Sequence, residues 1–219
     1  MQPKALFIDL DGTLANSMPH LFNWYQKMLK EHKVIATLED FAQFLELEFE
    51  VSLVFLSKII KDADPKLFFQ KYIQTIHTTY LDFVQPFQDA KEFIEHSKDM
   101  GLVLFLVTNA QEHIANGFLQ KHGLSPFFDQ VIHLEEAKYA KPNPYLYQKA
   151  LHVSGLAPDE VLAFEDSKPG ILSAMQAQIR TVLLSHNEMN IEEELKNQMF
   201  KCFNDWQEAK KWLHLQQRI

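Results

Sequence analysis

The chain has 219 residues, 47% of them hydrophobic and 23% charged, with a net charge of -8. That is ample apolar material for a full core, and it excludes an unstructured composition. The acidic balance argues against nucleic acid or an anionic membrane surface as the partner, since both reward Lys/Arg-rich faces.

Short continuous apolar runs recur along the chain, each ending in polar residues. They are ALFID (Ala5 to Asp9), LVLFLVTN (Leu102 to Asn109), QVIHL (Gln130 to Leu134), EVLAFED (Glu160 to Asp166) and RTVLL (Arg180 to Leu184). KCF, Lys201 to Phe203, is a weaker candidate. Continuous rather than alternating runs predict strands buried on both faces, as in parallel sheets covered by helices. Helical patterns fall between them. QDAKEFIEHSKDMG ends on Gly101 and EHIANGFLQKHG on Gly123. PYLYQKALHVSG starts at Pro144, a residue suited to a first helical turn. SKPGILSAMQ follows the fourth run, and NDWQEAKKWLHLQQ closes the chain with Asn204 or Asp205 as cap. Strand and helix in alternation predict an α/β fold: a Rossmann-like parallel sheet core flanked by helices.

One region breaks this rhythm. FNWYQKMLKEH, LEDFAQFLELEF, VSLVFLSKII and DPKLFFQKYIQTIHTTYLDF all read as amphipathic helices. They predict an inserted helical cap domain over residues 18–85, with residues 1–17 and 86–219 forming the core. An insertion directly after the first strand is expected to act as a lid, because open α/β sheets bind ligands at strand C-termini. The phenylalanines Phe41, Phe44, Phe49, Phe55, Phe68 and Phe69 are expected to form the core of that insertion rather than a ligand box.

The sole cysteine, Cys202, allows neither an internal disulfide nor a cysteine-built zinc site, and is expected to be a small buried hydrophobe. MQPKALFIDL carries no signal-peptide pattern, and no run reaches the ~20 apolar residues of a membrane span. A reducing, cytoplasmic setting, no membrane partner and a monomer are the expectations. The ten histidines show no metal-ligand spacing. EEELK at Glu192 to Lys196 reads as a solvated helical face.

Chemistry concentrates where the strands end. Residues two apart in extended backbone share a side, so Asp9 and Asp11 face one pocket, and Gly12 lets the chain turn. Two adjacent carboxylates repel unless a cation lies between them, and Mg²⁺ suits carboxylate, phosphate and water ligands. Glu165 and Asp166 end a second strand. Neighbours on a strand point opposite ways, so Asp166 is favoured as a metal ligand, with Glu165 in support. Thr108 and Asn109 end a third strand and are candidates for phosphate binding. Lys141, held between Ala140 and the Pro142/Pro144 pair, is the candidate cation.

DLDGTLANS, VTNA, KPNP and FEDSKPG, in that order, resemble the four-part motif set of the haloacid dehalogenase superfamily across nearly the whole chain. The helical insertion after the first motif is similar to the members with a helical type-1 cap, the phosphoglycolate phosphatases and β-phosphoglucomutases. DGTLANSMP resembles the DGTL-x-DS-x-P opening of the former. The resemblance implies a Mg²⁺-dependent phosphatase acting on a small phosphorylated metabolite. In that scheme Asp9 is the nucleophile, and Asp11 is the acid/base whose carbonyl meets the metal. Thr108 bonds the phosphoryl group, Lys141 neutralises charge, and Asp166 ligates Mg²⁺ with Glu165 assisting. It also implies a central first strand with the FED strand beside it. A sugar-phosphate mutase and a non-catalytic binding relative are the alternatives. Asp11 sets the chain apart from the dehalogenases, and Thr13 leans toward phosphatase over mutase. Two letters depart from the pattern: Asn16 where many relatives have Asp, and Gln178 where they commonly have Gly. Residues 18–85 contain no arginine, so a second anionic group on the substrate would rely on Lys or backbone. His20, at the opening of the insertion, is a candidate substrate contact.

Overall fold

A computed structural model describes residues 2–46, 49–136, 139–186 and 191–216. The chain divides into two compact units: the segments up to Asn16 and from Gln85 onward, and the segment Ser17–Val84.

The larger unit is built on a six-stranded sheet. Its strands are β1 (Ala5–Ile8), β2 (Val103–Val107), β3 (Gln130–Ile132), β4 (Val161–Glu165), β5 (Arg180–Leu184) and β6 (Lys201–Phe203). Their order is β3-β2-β1-β4-β5-β6, and every neighbouring pair is parallel. The weak KCF candidate is therefore a true edge strand. β1 is the central strand and is buried along its whole length. Phe7 lies level with Phe105 on β2 and Ala163 on β4, and the two phenylalanine rings stack at 5.2 Å. This burial on both faces explains why the strands read as unbroken apolar runs.

Helices supply those covers. They are α5 (Ala90–Asp99), α6 (Glu112–Lys121), α7 (Tyr145–Ser154), α8 (Lys168–Gln176), the short α9 (Glu193–Lys196) and α10 (Trp206–Gln216), numbered after four helices of the other unit. Tyr147 and Ala150 of α7 and Ala174 of α8 join Phe7, Phe105 and Ala163 in one core cluster. Trp206 of α10 stacks on Phe164 and packs on Phe93. The helix ends follow from local chemistry. Gly155 stops α7 in a left-handed conformation, φ 67°. Pro144 sits one step outside α7, and Asn143 accepts the Tyr145 N–H in its place. Asp205 caps α10 by accepting the Glu208 N–H, while Glu208 accepts the Asn204 N–H. Gln178 holds φ 62°, a region that favours glycine. That accounts for its standing as a departure. Cys202 corrects an expectation. It is exposed on β6, because an edge strand of three residues leaves its outer side open.

The smaller unit is all helical: α1 (Met18–Glu31), α2 (Leu38–Glu46), α3 (Phe49–Ile59) and α4 (Pro65–Phe83). Thr37 and Asp40 form a reciprocal cap at the start of α2, and Asp64 caps α4. The core is aromatic. The Tyr25 ring stacks on Phe44 at 4.9 Å and meets Phe68 and Tyr72 edge-on. Phe41, Phe44 and Phe68 are buried, whereas Phe55 and Phe69 are half-buried. The side chain of Phe49 lies outside the described residues. No helix of the described residues is long and apolar enough to cross a membrane.

Candidate active site

The ends of β2, β1 and β4 lie side by side, so the polar residues that close these runs converge. Ile8 pairs with Leu106 and Phe164, which sets Asp9 one step on, level with Val107 and Glu165. The Asp9 N–H donates to the Phe164 carbonyl at 3.0 Å. Asp9, Thr108, Lys141, Glu165 and Asp166 are all buried. Asp11 is half-exposed, one residue before the turn at Gly12.

Lys141 ties the cluster together. Its ammonium donates to Asp9 Oδ1 at 2.6 Å, Glu165 Oε1 at 2.6 Å and the Val107 carbonyl at 2.7 Å. All three donors of the –NH₃⁺ group are thus matched. The two flanking carboxylates hold its pKa up although burial pulls it down. The Lys141–Pro142 peptide bond is cis. Asn109, expected to bind phosphate, uses its carboxamide on this loop. Its Oδ1 accepts the Lys141 N–H at 2.9 Å, and its Nδ2 donates to the Lys141 carbonyl at 3.4 Å. Its observed part is to fix the loop that carries the cation.

Thr108 accepts the Ala110 N–H on its hydroxyl oxygen at 2.9 Å, which leaves its own proton to donate elsewhere. Glu165 is fully buried. Its Oε1 accepts from both Lys141 and the Tyr147 hydroxyl, the latter at 2.5 Å. Among the described residues its Oε2 has no hydrogen-bond partner, and it faces Gly170, where a Cβ would overlap the carboxylate. Asp166 is held similarly. Thr13 donates its hydroxyl to Asp166 Oδ1 at 2.9 Å, and Gly12 leaves room for the other oxygen. Two glycines therefore admit two acids, one residue apart, into a close-packed site.

Charge is not balanced there. Asp9, Glu165 and Asp166 offer oxygens within 4.8 Å of one another, with Lys141 the cation bound among them. Burial raises the pKa of Asp9 against the pull of Lys141. Burial, then Asp9 and Glu165, push Asp166 well above the usual carboxylate range. Glu165 is pushed up to about 7, mainly by burial. A hard divalent cation resolves this repulsion, so the oxygen donor set fits one.

The structure brings together Asp9, Thr108, Asn109, Lys141, Glu165 and Asp166. His20 lies in α1 of the helical unit, its ring beside Trp24 and Phe83. Thr13, Tyr147 and Gly170 were not anticipated as site residues. For Tyr147 a signal existed: a tyrosine buried in a helix core must place its hydroxyl on a partner.

A model of the haloacid dehalogenase-like hydrolases matches residues 6–184. The phosphoglycolate phosphatase of Thiobacillus denitrificans is 30% identical over 171 residues, covering 75% of each chain. The phosphorylated carbohydrates phosphatase of Thermotoga maritima is 23% identical over 180 residues, covering 82% of this chain and 83% of its own. Among solved structures, a haloacid dehalogenase-like protein of unknown function from Agrobacterium tumefaciens superposes with a TM-score of 0.83 at 18% identity, over 98% of this chain and 99% of its own. At that identity the likeness speaks for the fold.

Proposed function

The chain belongs to the haloacid dehalogenase-like hydrolases, and from that premise we propose a Mg²⁺-dependent phosphatase that hydrolyses a small phosphorylated metabolite through an aspartyl-phosphate on Asp9. The observation that carries this reading is Lys141, buried with its ammonium bonded to Asp9 and Glu165 at the tips of adjacent strands.

Asp9, Asp166 and the backbone carbonyl of Asp11 would hold the cation. Mg²⁺, when bound, supplies positive charge to phosphoryl oxygens and lets neighbouring carboxylates stay ionised. The chain's own groups do the rest. Lys141 pulls Asp9 toward its ionised form against the effect of burial, and offsets charge on the phosphoryl group. The Thr108 hydroxyl donates to a phosphoryl oxygen. An Asp9 oxygen attacks phosphorus while the bond to the leaving oxygen breaks, and Asp11 gives that oxygen its proton. Asp11 then takes a proton from water as the water oxygen attacks phosphorus. The bond to Asp9 breaks, Asp9 is again a carboxylate, and hydrogen phosphate leaves. Glu165 acts through Lys141, bonded at Oε1, and would support the cation beside Asp166. The helical segment 18–85 takes the part of a cap that selects the substrate, with His20 as its candidate contact.

Phosphate release from a panel of phosphorylated metabolites tests this reading, with EDTA and Asp9→Asn as controls. Free phosphate lost in both controls is the expected result. Transfer between positions of a sugar phosphate without release would indicate a mutase. Release that survives Asp9→Asn would refute the assignment.

A further inference from the structure

The loop that follows β1 is fastened from behind by two side chains distant in sequence. His186 Nε2 lies 3.2 Å from the Thr13 carbonyl oxygen, and Trp206 Nε1 donates to the same oxygen at 3.2 Å. A carbonyl has two lone pairs, so this one is fully used. A carbonyl can only accept, so His186 must carry its proton on Nε2. Burial lowers the pKa of His186, which favours a neutral ring with that single donor. The ring lies flat on Phe87, with centroids 3.5 Å apart and planes 2° from parallel. Phe87 itself is tied to the loop, since its N–H donates to the Leu14 carbonyl at 3.0 Å. On its other side Thr13 donates its hydroxyl to Asp166 Oδ1, and Gly12 abuts the second oxygen of Asp166.

We infer that His186, with Trp206, is a positioning residue for the cation site: it fixes the Thr13 peptide, and through the Thr13 hydroxyl it aims Asp166. The inference rests on the reading of Asp166 as a metal ligand. A ring that merely filled space would not need its nitrogen directed at a carbonyl already bonded to Trp206. The geometry makes the donor, not the ring, the working part.

Binding of Mn²⁺ to the free enzyme, followed by the electron paramagnetic resonance signal of unbound Mn²⁺, reads the site without turnover. His186→Phe keeps a ring on Phe87 and loses the donor. Its Mn²⁺ affinity is expected to fall roughly three- to tenfold, the worth of one buried hydrogen bond. His186→Gln places an amide nitrogen where Nε2 was and should restore wild-type affinity. Thr13→Ala should weaken binding similarly, and adding His186→Phe to it should cost nothing further, because both act through one chain of contacts. Unchanged affinity in a folded His186→Phe protein, or additive losses in the double variant, overturns the inference. Should His186→Phe not fold, His186→Gln against His186→Asn decides, since asparagine sets its donor at the Nδ1 position: equal affinities overturn the inference. If Asp166→Asn binds Mn²⁺ as wild type does, the metal-site reading falls and this inference with it; a loss in Asp166→Asn without one in His186→Phe leaves that reading standing.

Discussion

The tips of β1, β2 and β4 and the interior of the helical unit are both buried, yet they are filled in opposite ways. At and around the strand tips Asp9, Thr13, Thr108, Lys141, Glu165 and Asp166 are all buried. Among the described residues of the helical unit, the buried polar side chains are Ser17 and Ser52, and the interior is aromatic. Burying charge is costly unless it is paired, so an interior crowded with carboxylates marks a place where chemistry holds them. An aromatic interior requires no such cause. In the proposed hydrolysis the first region supplies the reacting groups, whereas the interior of the second supports only its own fold.

The largest expected effect falls on the strand tips. Lys141→Ala leaves Asp9 and Glu165 without their shared cation, at a stability cost of about 3–5 kcal/mol for a broken buried pair. Phosphate release should fall at least about a hundredfold, as for loss of one preorganised charge-stabilising group. Thermal denaturation and initial rates on the same preparation check both. Phe44→Ala should remove a comparable ~3–5 kcal/mol from the helical unit by opening its aromatic core. Mn²⁺ binding at the strand tips should nevertheless persist. Loss of that binding would collapse the contrast between the regions.

A smaller effect follows from the raised carboxylate pKa values. With divalent cations chelated, Glu165 holds a pKa of about 7 when folded against 4.5 as its ordinary value, and Asp9 and Asp166 are also raised. Between those values the folded chain binds a proton that the unfolded chain has released. Stability from this group is therefore lost as pH rises from about 4.5 to about 7, and is level above that. The raised pKa of Lys141 acts only in the alkaline range. Melting temperatures in EDTA should drop across the window, and Mg²⁺ should flatten the slope by displacing those protons. Equal slopes with and without Mg²⁺ would count against a cation among these acids.

The smallest effect lies away from both regions. Gln178 is strained at φ 62°, so Gln178→Gly should stabilise the chain by up to ~1 kcal/mol with no change in rate. A calorimetric melt detects it.

What could be read from the chain alone follows the same division. Asp9, Thr108, Glu165 and Asp166 stood out because each closes an apolar run, and Lys141 because prolines frame it; the strand order then brought those ends together. The anchoring layer stayed hidden. Tyr147 looked like a core aromatic, and only the α7 packing reveals its hydroxyl on Glu165. Asn109 stood out only as the end of an apolar run; that its carboxamide holds the loop at Lys141 had no local signal. His186 and Trp206 lie 173 and 193 residues from Thr13, a pairing that no local pattern encodes. Cys202 was misplaced because a three-residue edge strand offers too little pattern to tell its covered side from its open one.

The proposed hydrolysis turns on attack by Asp9 at phosphorus. Its most direct test is the Asp11→Asn variant with p-nitrophenyl phosphate and Mg²⁺, quenched in acid and digested for peptide mass spectrometry. Nitrophenolate leaves without a proton, so the first step should proceed while hydrolysis stalls for want of a base. The expected result is a phosphoryl group on Asp9 that Asp9→Asn abolishes. Nitrophenolate release with no covalent adduct, or an adduct on another residue, would contradict it.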